Sequence, residues 1–215
     1  MELMEIFKTL EAAANPEKAA PMSAYLKDQF PFLGLQKPER EALTKEFLKQ
    51  KKKEPVDWDF VEACYARPQR EFHYLAVDYV LLIKDKLMAE DIAHIESLIT
   101  RHSWWDTVDM YNIPIGHLYL KYPQTGETLR RWMSCDNLWL RRISVICQLH
   151  LKGKTDTSLL TAAIESNLGS TEFFINKAIG WALREYSKTD PEWVRAFIAS
   201  HTLAPLSVRE ASKYI

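Results

Sequence analysis

Glycine and cysteine are both scarce in this chain, and each shortage narrows what it can be. Only six of its 215 residues are glycine, and no segment sustains strict apolar–polar alternation, so a hairpin-rich β fold is excluded. The three cysteines, Cys64, Cys135 and Cys147, are odd in number, widely spaced and without a C-x-x-C. They read as buried apolar thiols in a reducing compartment rather than a disulfide framework. Six histidines form no H-E-x-x-H or other ligand spacing, which argues against a metal site. No apolar run approaches the length that spans a bilayer, and no basic-then-apolar signal opens the chain. A soluble cytoplasmic monomer forming one domain over residues 1–215 is expected.

Excess charge of one sign is missing as well. The chain has 28 Lys and Arg against 29 Asp and Glu, a formal charge of −1, so total charge does not announce a nucleic-acid partner. The distribution is uneven. From Arg131 onward there are 11 basic and 8 acidic residues, against 17 and 21 in the first 130. A basic C-terminal third is compatible with a polyanion on one face.

What the chain does have is helical spacing almost everywhere, broken by short polar or proline-containing joints such as "FPFLGLQKPER", "KYPQTG", "KGKTD" and "KTDP". Helices with an acidic or hydroxyl start ("VDWDFVEACYA", "TDTSLLTAAIES", "TDPEWVRAFIAS") alternate with longer, more apolar ones ("REFHYLAVDYVLLI", "LWLRRISVICQLH", "FFINKAIGWALREY"). Starts near Asp57, Glu90, Thr125, Thr155 and Asp190 recur every 30 to 35 residues or so, the period of helical-hairpin arrays. Such a pair cannot bury its apolar face by itself, so pairs stack. The expected fold is an all-α superhelical solenoid of HEAT-like antiparallel helix pairs, about six of them by this period.

Three stretches hold residues that the helical pattern does not absorb. In "SWWDTVDMY", Ser103 followed by Asp106 reads as a capping box, and Trp104, Val108 and Tyr111 make a core stripe. Trp105 and Asp109, four residues apart on another face, are left with no structural task. In "STEFFINKAIGWALREYSKTDP", the core stripe is Ile175, Ile179, Ala182 and Tyr186. Trp181 lies off it, framed by Lys177, Arg184 and Lys188. Such a face suits a nucleic-acid strand, or equally a half-buried Trp between repeats with snorkelling cations. In "LWLRRISVICQLH", Arg141, Ser144 and Gln148 read as a solvated side. Arg142 shares a stripe with Leu138, Val145 and Leu149, so it needs an anion, either a carboxylate of the fold or a phosphate from outside. The run "KQKKK" at 49–53 sits where cations favour a helix C-terminus, and Tyr25 reads by spacing as a core residue.

"SWWDTVD", "LWLRR", "FFINKAIGWALREYSKTDP" and "FPFLGLQKPER" resemble, in order and over nearly the whole chain, the AlkD family of bacterial DNA alkylation-repair glycosylases. The resemblance implies a HEAT-like superhelix that hydrolyses the N-glycosidic bond of positively charged N3- and N7-alkylpurines in duplex DNA, with no cofactor and no metal. Its catalytic aspartate would fall on Asp109, its paired tryptophans on Trp105 and Trp181, its phosphate-gripping arginine on Arg142 and its N-terminal tyrosine on Tyr25. Lys177, Arg184 and Lys188 would join Arg142 and Tyr25 in binding double-stranded DNA. Two other functions remain open to the same sequence: a non-enzymatic helical scaffold for a protein partner, and a catalytically silent DNA-binding relative.

Overall fold

The computed structural model describes residues 3–215. The described residues contain α-helices and short 3-10 turns and no strand. They form two compact units, residues 3–87 and Met88–Ile215. The all-α helix-pair architecture that the 30-to-35-residue period predicts is what the chain adopts.

The first unit holds α1 (Leu3–Ala12), α2 (Pro16–Tyr25), α3 (Lys37–Lys51), α4 (Trp58–Tyr65) and α5 (Arg70–Leu82). Helix α3 packs on both α1 and α5, and α4 packs on α5. The "FPFLGL" joint is pinned from beneath by Glu71. Its fully buried carboxylate accepts the backbone N–H groups of Leu33 (2.9 Å), Gly34 (2.9 Å) and Leu35 (3.1 Å). Three charge-assisted bonds satisfy an anion that burial would otherwise penalise heavily. Gly34 sits at φ +91°, and a Cβ there would stand 2.0 Å from the Asn15 carbonyl oxygen. Only glycine fits that approach.

The second unit comprises α6 (Ile92–Thr100), α7 (Trp105–Val108), α8 (Asn112–Lys121), α9 (Gly126–Met133), α10 (Leu138–Ile146), α11 (Thr157–Glu165), α12 (Phe173–Ser187), α13 (Pro191–Ser200) and α14 (Pro205–Ala211). A 3-10 turn, Asp109–Tyr111, joins α7 to α8. Of the five polar starts read from the sequence, Asp57 and Asp190 act as side-chain N-caps; next to Thr155 the cap is Asp156, and Glu90 and Thr125 make no side-chain cap. Asp57, Asp156 and Asp190 each accept first-turn N–H groups, and Asn137 does so for α10.

Helix α10 is central, packing on α6, α9, α11 and α12. Ser144 on α10 and Gln148 in the turn after it are buried, which corrects the expectation of a solvated side. Gln148 exchanges two hydrogen bonds with the backbone of Asp156 (3.0 and 2.8 Å), tying the turn after α10 to the cap of α11. Ser144 Oγ donates to the Arg141 carbonyl at 2.7 Å. Both polar groups are satisfied inside, so burial costs little.

Helices α12 and α14 meet at Gly180. A Cβ there would lie 2.5 Å from Cβ of Glu210 and 2.9 Å from the Ser207 carbonyl oxygen. Overpacking of this kind costs about 1–3 kcal/mol, of which better helix propensity recovers about 1. The net range is about 0–2 kcal/mol, and with the new Cβ only 2.5 Å from another Cβ, Gly180→Ala is expected at its upper end, a loss of about 2 kcal/mol in urea titrations. Gly153→Ala, where the added methyl meets nothing within 4 Å, should be neutral. Equal stability of the two variants would contradict the close α12–α14 packing.

Candidate active site

Helix α7 begins one residue later than a Ser103 cap would place it. Trp104 is the N-cap and contributes no side-chain hydrogen bond, while Ser103 Oγ donates backwards to the Ile99 carbonyl at 2.6 Å. The expected Ser103–Asp106 capping box is thus not formed, because the end of α6 has taken the hydroxyl. Asp106 lies in the first turn of α7. Val108 and Tyr111 are buried as the stripe predicts. Trp104 is half-buried, its ring set edge-on to Trp139 (5.8 Å) and Phe174 (5.5 Å). Its indole nitrogen is buried without a hydrogen-bond partner.

Asp109 opens the 3-10 turn, and the Asn112 amide donates to its backbone carbonyl. Thirty-three residues later, Arg142 on α10 meets it in a two-pronged pair. Nε donates to Oδ1 and Nη2 to Oδ2, each at 2.7 Å. Nη1 donates to the Phe174 carbonyl at the start of α12. The anion that Arg142 required is therefore a carboxylate of the fold.

Exposure within the pair is unequal. The Arg142 side chain is 4% exposed and that of Asp109 16%. Solvent reaches the pair chiefly at the carboxylate, whose oxygens each keep acceptor capacity beyond the bond to Arg142. The arrangement is a fixed negative charge at a partly open point, oriented by a buried fork.

Trp105 is half-buried at the first position of α7, one turn before Asp109. Trp181 is half-buried on α12. It follows Phe174 by seven residues, so it shares that helix face about 10 Å farther along. Through the Phe174 carbonyl, the face that carries Trp181 is tied to Arg142.

The cations around Trp181 are engaged. Lys177 Nζ and Arg184 Nη1 reach opposite oxygens of Glu210 on α14, at 2.8 and 2.7 Å, and Lys213 adds a third contact at 2.8 Å. Lys188 pairs with both oxygens of Glu185 at 2.8 Å and lies over the Tyr214 ring. Hydrogen bonds from Lys177 and Lys213 hold the Glu210 carboxyl down to about 2.

Tyr25 ends α2 in the first unit and is 71% exposed, which corrects the core reading. Three participants were not read from the sequence. Glu210 and Lys213 stand i, i+3 on one short segment, a spacing that signals a local pair and nothing more. Phe174 contributes through its carbonyl, which no side-chain pattern reports.

The family model for the DNA alkylation repair enzyme matches residues 6–215. The chain belongs to the DNA alkylation repair enzyme family. It is 39% identical to a solved structure from Enterococcus faecalis described as a predicted DNA alkylation repair enzyme, with a TM-score of 0.88. That match covers 94% of this chain and 96% of the other. No curated protein matches this chain.

In this DNA alkylation repair family member, removing one partner of the Asp109–Arg142 pair should be costly. Arg142→Ala leaves a half-buried carboxylate unpaired, and the expected loss of unfolding stability is about 3 kcal/mol. A urea midpoint unchanged from wild type would show the pair to be idle. Glu210 gives a pH test. Its folded-state pKa lies below the ordinary 4.5, so its contribution is full above about 4.5 and is lost as pH falls through about 2. The stability gap between wild type and Glu210→Gln should hold from pH 7 to 5 and shrink below that. A gap that persists unchanged to pH 2 would contradict the pairing.

Proposed function

We propose that this chain is a DNA glycosylase that hydrolyses the bond between deoxyribose and a positively charged N3- or N7-alkylpurine in duplex DNA. The observation that carries the reading is Asp109, a carboxylate locked by Arg142 at a partly open point in a DNA alkylation repair family member.

The chemistry follows from charge. A cationic alkylpurine departs with the electron pair of the C1′–N bond and becomes neutral, so no general acid has to protonate it. Positive charge then develops on the sugar. Asp109 opposes that charge, and it can align a water that adds at C1′ and gives up a proton. Because the carboxylate is already fixed, little reorganisation accompanies the step. Trp105 and Trp181 offer indole faces to the sugar edge and attraction to the developing cation.

Arg142 is assigned a role different from the phosphate grip that the resemblance implies. Three of its five N–H donors are committed to Asp109 and Phe174, and the side chain is 4% exposed. It acts here as a positioning residue that sets the angle of the catalytic carboxylate.

Asp109→Asn keeps the shape of the side chain and removes its charge. Single-turnover release of 7-methylguanine should fall on the order of 100- to 1,000-fold, with duplex affinity held or slightly raised. Asp106→Asn, three residues away on the first turn of α7, should release base at close to the wild-type rate. A wild-type protein that releases no methylpurine refutes the glycosylase reading, and full activity in Asp109→Asn refutes the role given to Asp109.

A further inference from the structure

Lys177, Arg184 and Lys213 converge on one carboxylate, that of Glu210, at 2.7 to 2.8 Å. One negative charge meets three positive ones, so the cluster carries an excess of two. The neighbouring Glu185 does not relieve it, since both its oxygens are taken by Lys188. Arg209, beside Glu210 in α14, is exposed and adds to the same segment. Five cations and two carboxylates (Lys177, Arg184, Lys188, Arg209 and Lys213 against Glu185 and Glu210) make +3, in a chain whose total is −1.

Burial sorts the two signs. Glu210 is 5% exposed, whereas Lys177 and Lys213 are 38% and 46% exposed. An arriving anion therefore meets ammonium groups first, with the carboxylate beneath them. Each ammonium gives one N–H to Glu210 and retains two. Glu210 also holds long side chains in place, which removes rotamer entropy that binding would otherwise cost. Docking α14 would need one such pair; three leave charge to be answered from outside. Trp181 adjoins the cluster, four residues after Lys177 and three before Arg184, so an aromatic face borders the cations on one helix. Cations for a phosphate beside a ring for sugar or base is the pattern of a nucleic-acid strand contact.

We infer that the Glu210-centred cluster is a phosphate site in which Lys177 and Lys213 hold a backbone phosphodiester of duplex DNA. The inference rests on the DNA-directed reading above and adds to it a site, a ligand group and a residue, Lys213, that the sequence did not reveal.

The test is duplex affinity measured across a KCl series for wild type, Lys177→Ala and Lys213→Ala, with exposed Lys45→Ala on α3 as a charge-loss control. Each cluster variant should raise Kd about 3- to 10-fold near 100 mM salt and make the log–log salt slope shallower by about 0.9. Lys213→Arg should restore the slope, which a purely structural defect would not allow. Cluster variants that bind like wild type, or a Lys45→Ala change of equal size, overturn the inference. A thermal shift with inorganic phosphate over matched chloride, lost in Lys213→Ala, would make free phosphate the ligand and likewise overturn it. Failure of the glycosylase reading is separable: wild type would then release no methylpurine, while the salt slopes still report on the cluster.

Discussion

The pairing of Asp109 with Arg142 is the constraint around which the second unit is arranged. An arginine that is 4% exposed cannot be tolerated without a partner, and removing that partner strands a buried cation. The pair therefore fixes the start of the Asp109–Tyr111 turn against the middle of α10. Through the Phe174 carbonyl it also fixes the first turn of α12 against the same side chain. Three elements spread over 66 residues of sequence are brought to one guanidinium. The Phe174 ring lies 5.7 Å from the guanidinium carbon and packs in turn on the rings of Trp104 and Trp139, the three ring centroids standing 5.0 to 5.8 Å apart. The same geometry that stabilises the fold leaves the carboxylate oriented and partly accessible, and it is this orientation that electrostatic catalysis needs.

Much of this was legible in the sequence, and what was hidden was hidden for physical reasons. Helical periodicity and polar starts are local properties, so the helix pairs and the starts at Asp57 and Asp190 could be read directly, and the start near Thr155 to within one residue of its cap, Asp156. Trp105, Asp109, Arg142 and Trp181 stood out because each broke a local pattern. Arg142's need for an anion was evident, but its choice between Asp109 and a phosphate depends on which helix lies opposite, and spacing within one helix cannot report that. The Ser103 cap failed because α7 starts one residue later, at Trp105, and the hydroxyl donates instead to the carbonyl end of α6. Ser144 and Gln148 looked solvated because polar residues usually are; Ser144 bonds back to its own helix, and the partner of Gln148, the Asp156 backbone, lies on a neighbouring segment. Glu210 was invisible for the same reason, since the cations it gathers come from two elements.

Charge shows why a whole-chain total is a poor guide to partners. A value of −1 averages a stretch of acidic excess within residues 1–130 and a C-terminal segment with local positive excess. Exposed charges more than about 10 Å apart are largely screened at ordinary ionic strength. A strand of DNA responds to the cations it touches, so a near-neutral protein and a salt-dependent DNA contact are compatible.

The central claim is that Asp109, aimed by Arg142, opposes positive charge at the sugar. The most direct measurement compares affinity for two duplexes that each carry a stable sugar analogue at one position: a neutral tetrahydrofuran, and a pyrrolidine protonated in place of the ring oxygen. Transition-state mimics bind at least about 100-fold tighter than ground-state analogues when the site is built for that charge. The account predicts that wild type prefers the cationic analogue by about that factor and that Asp109→Asn loses the preference. Equal affinity of wild type for the two duplexes, or a preference that survives in Asp109→Asn, would contradict it.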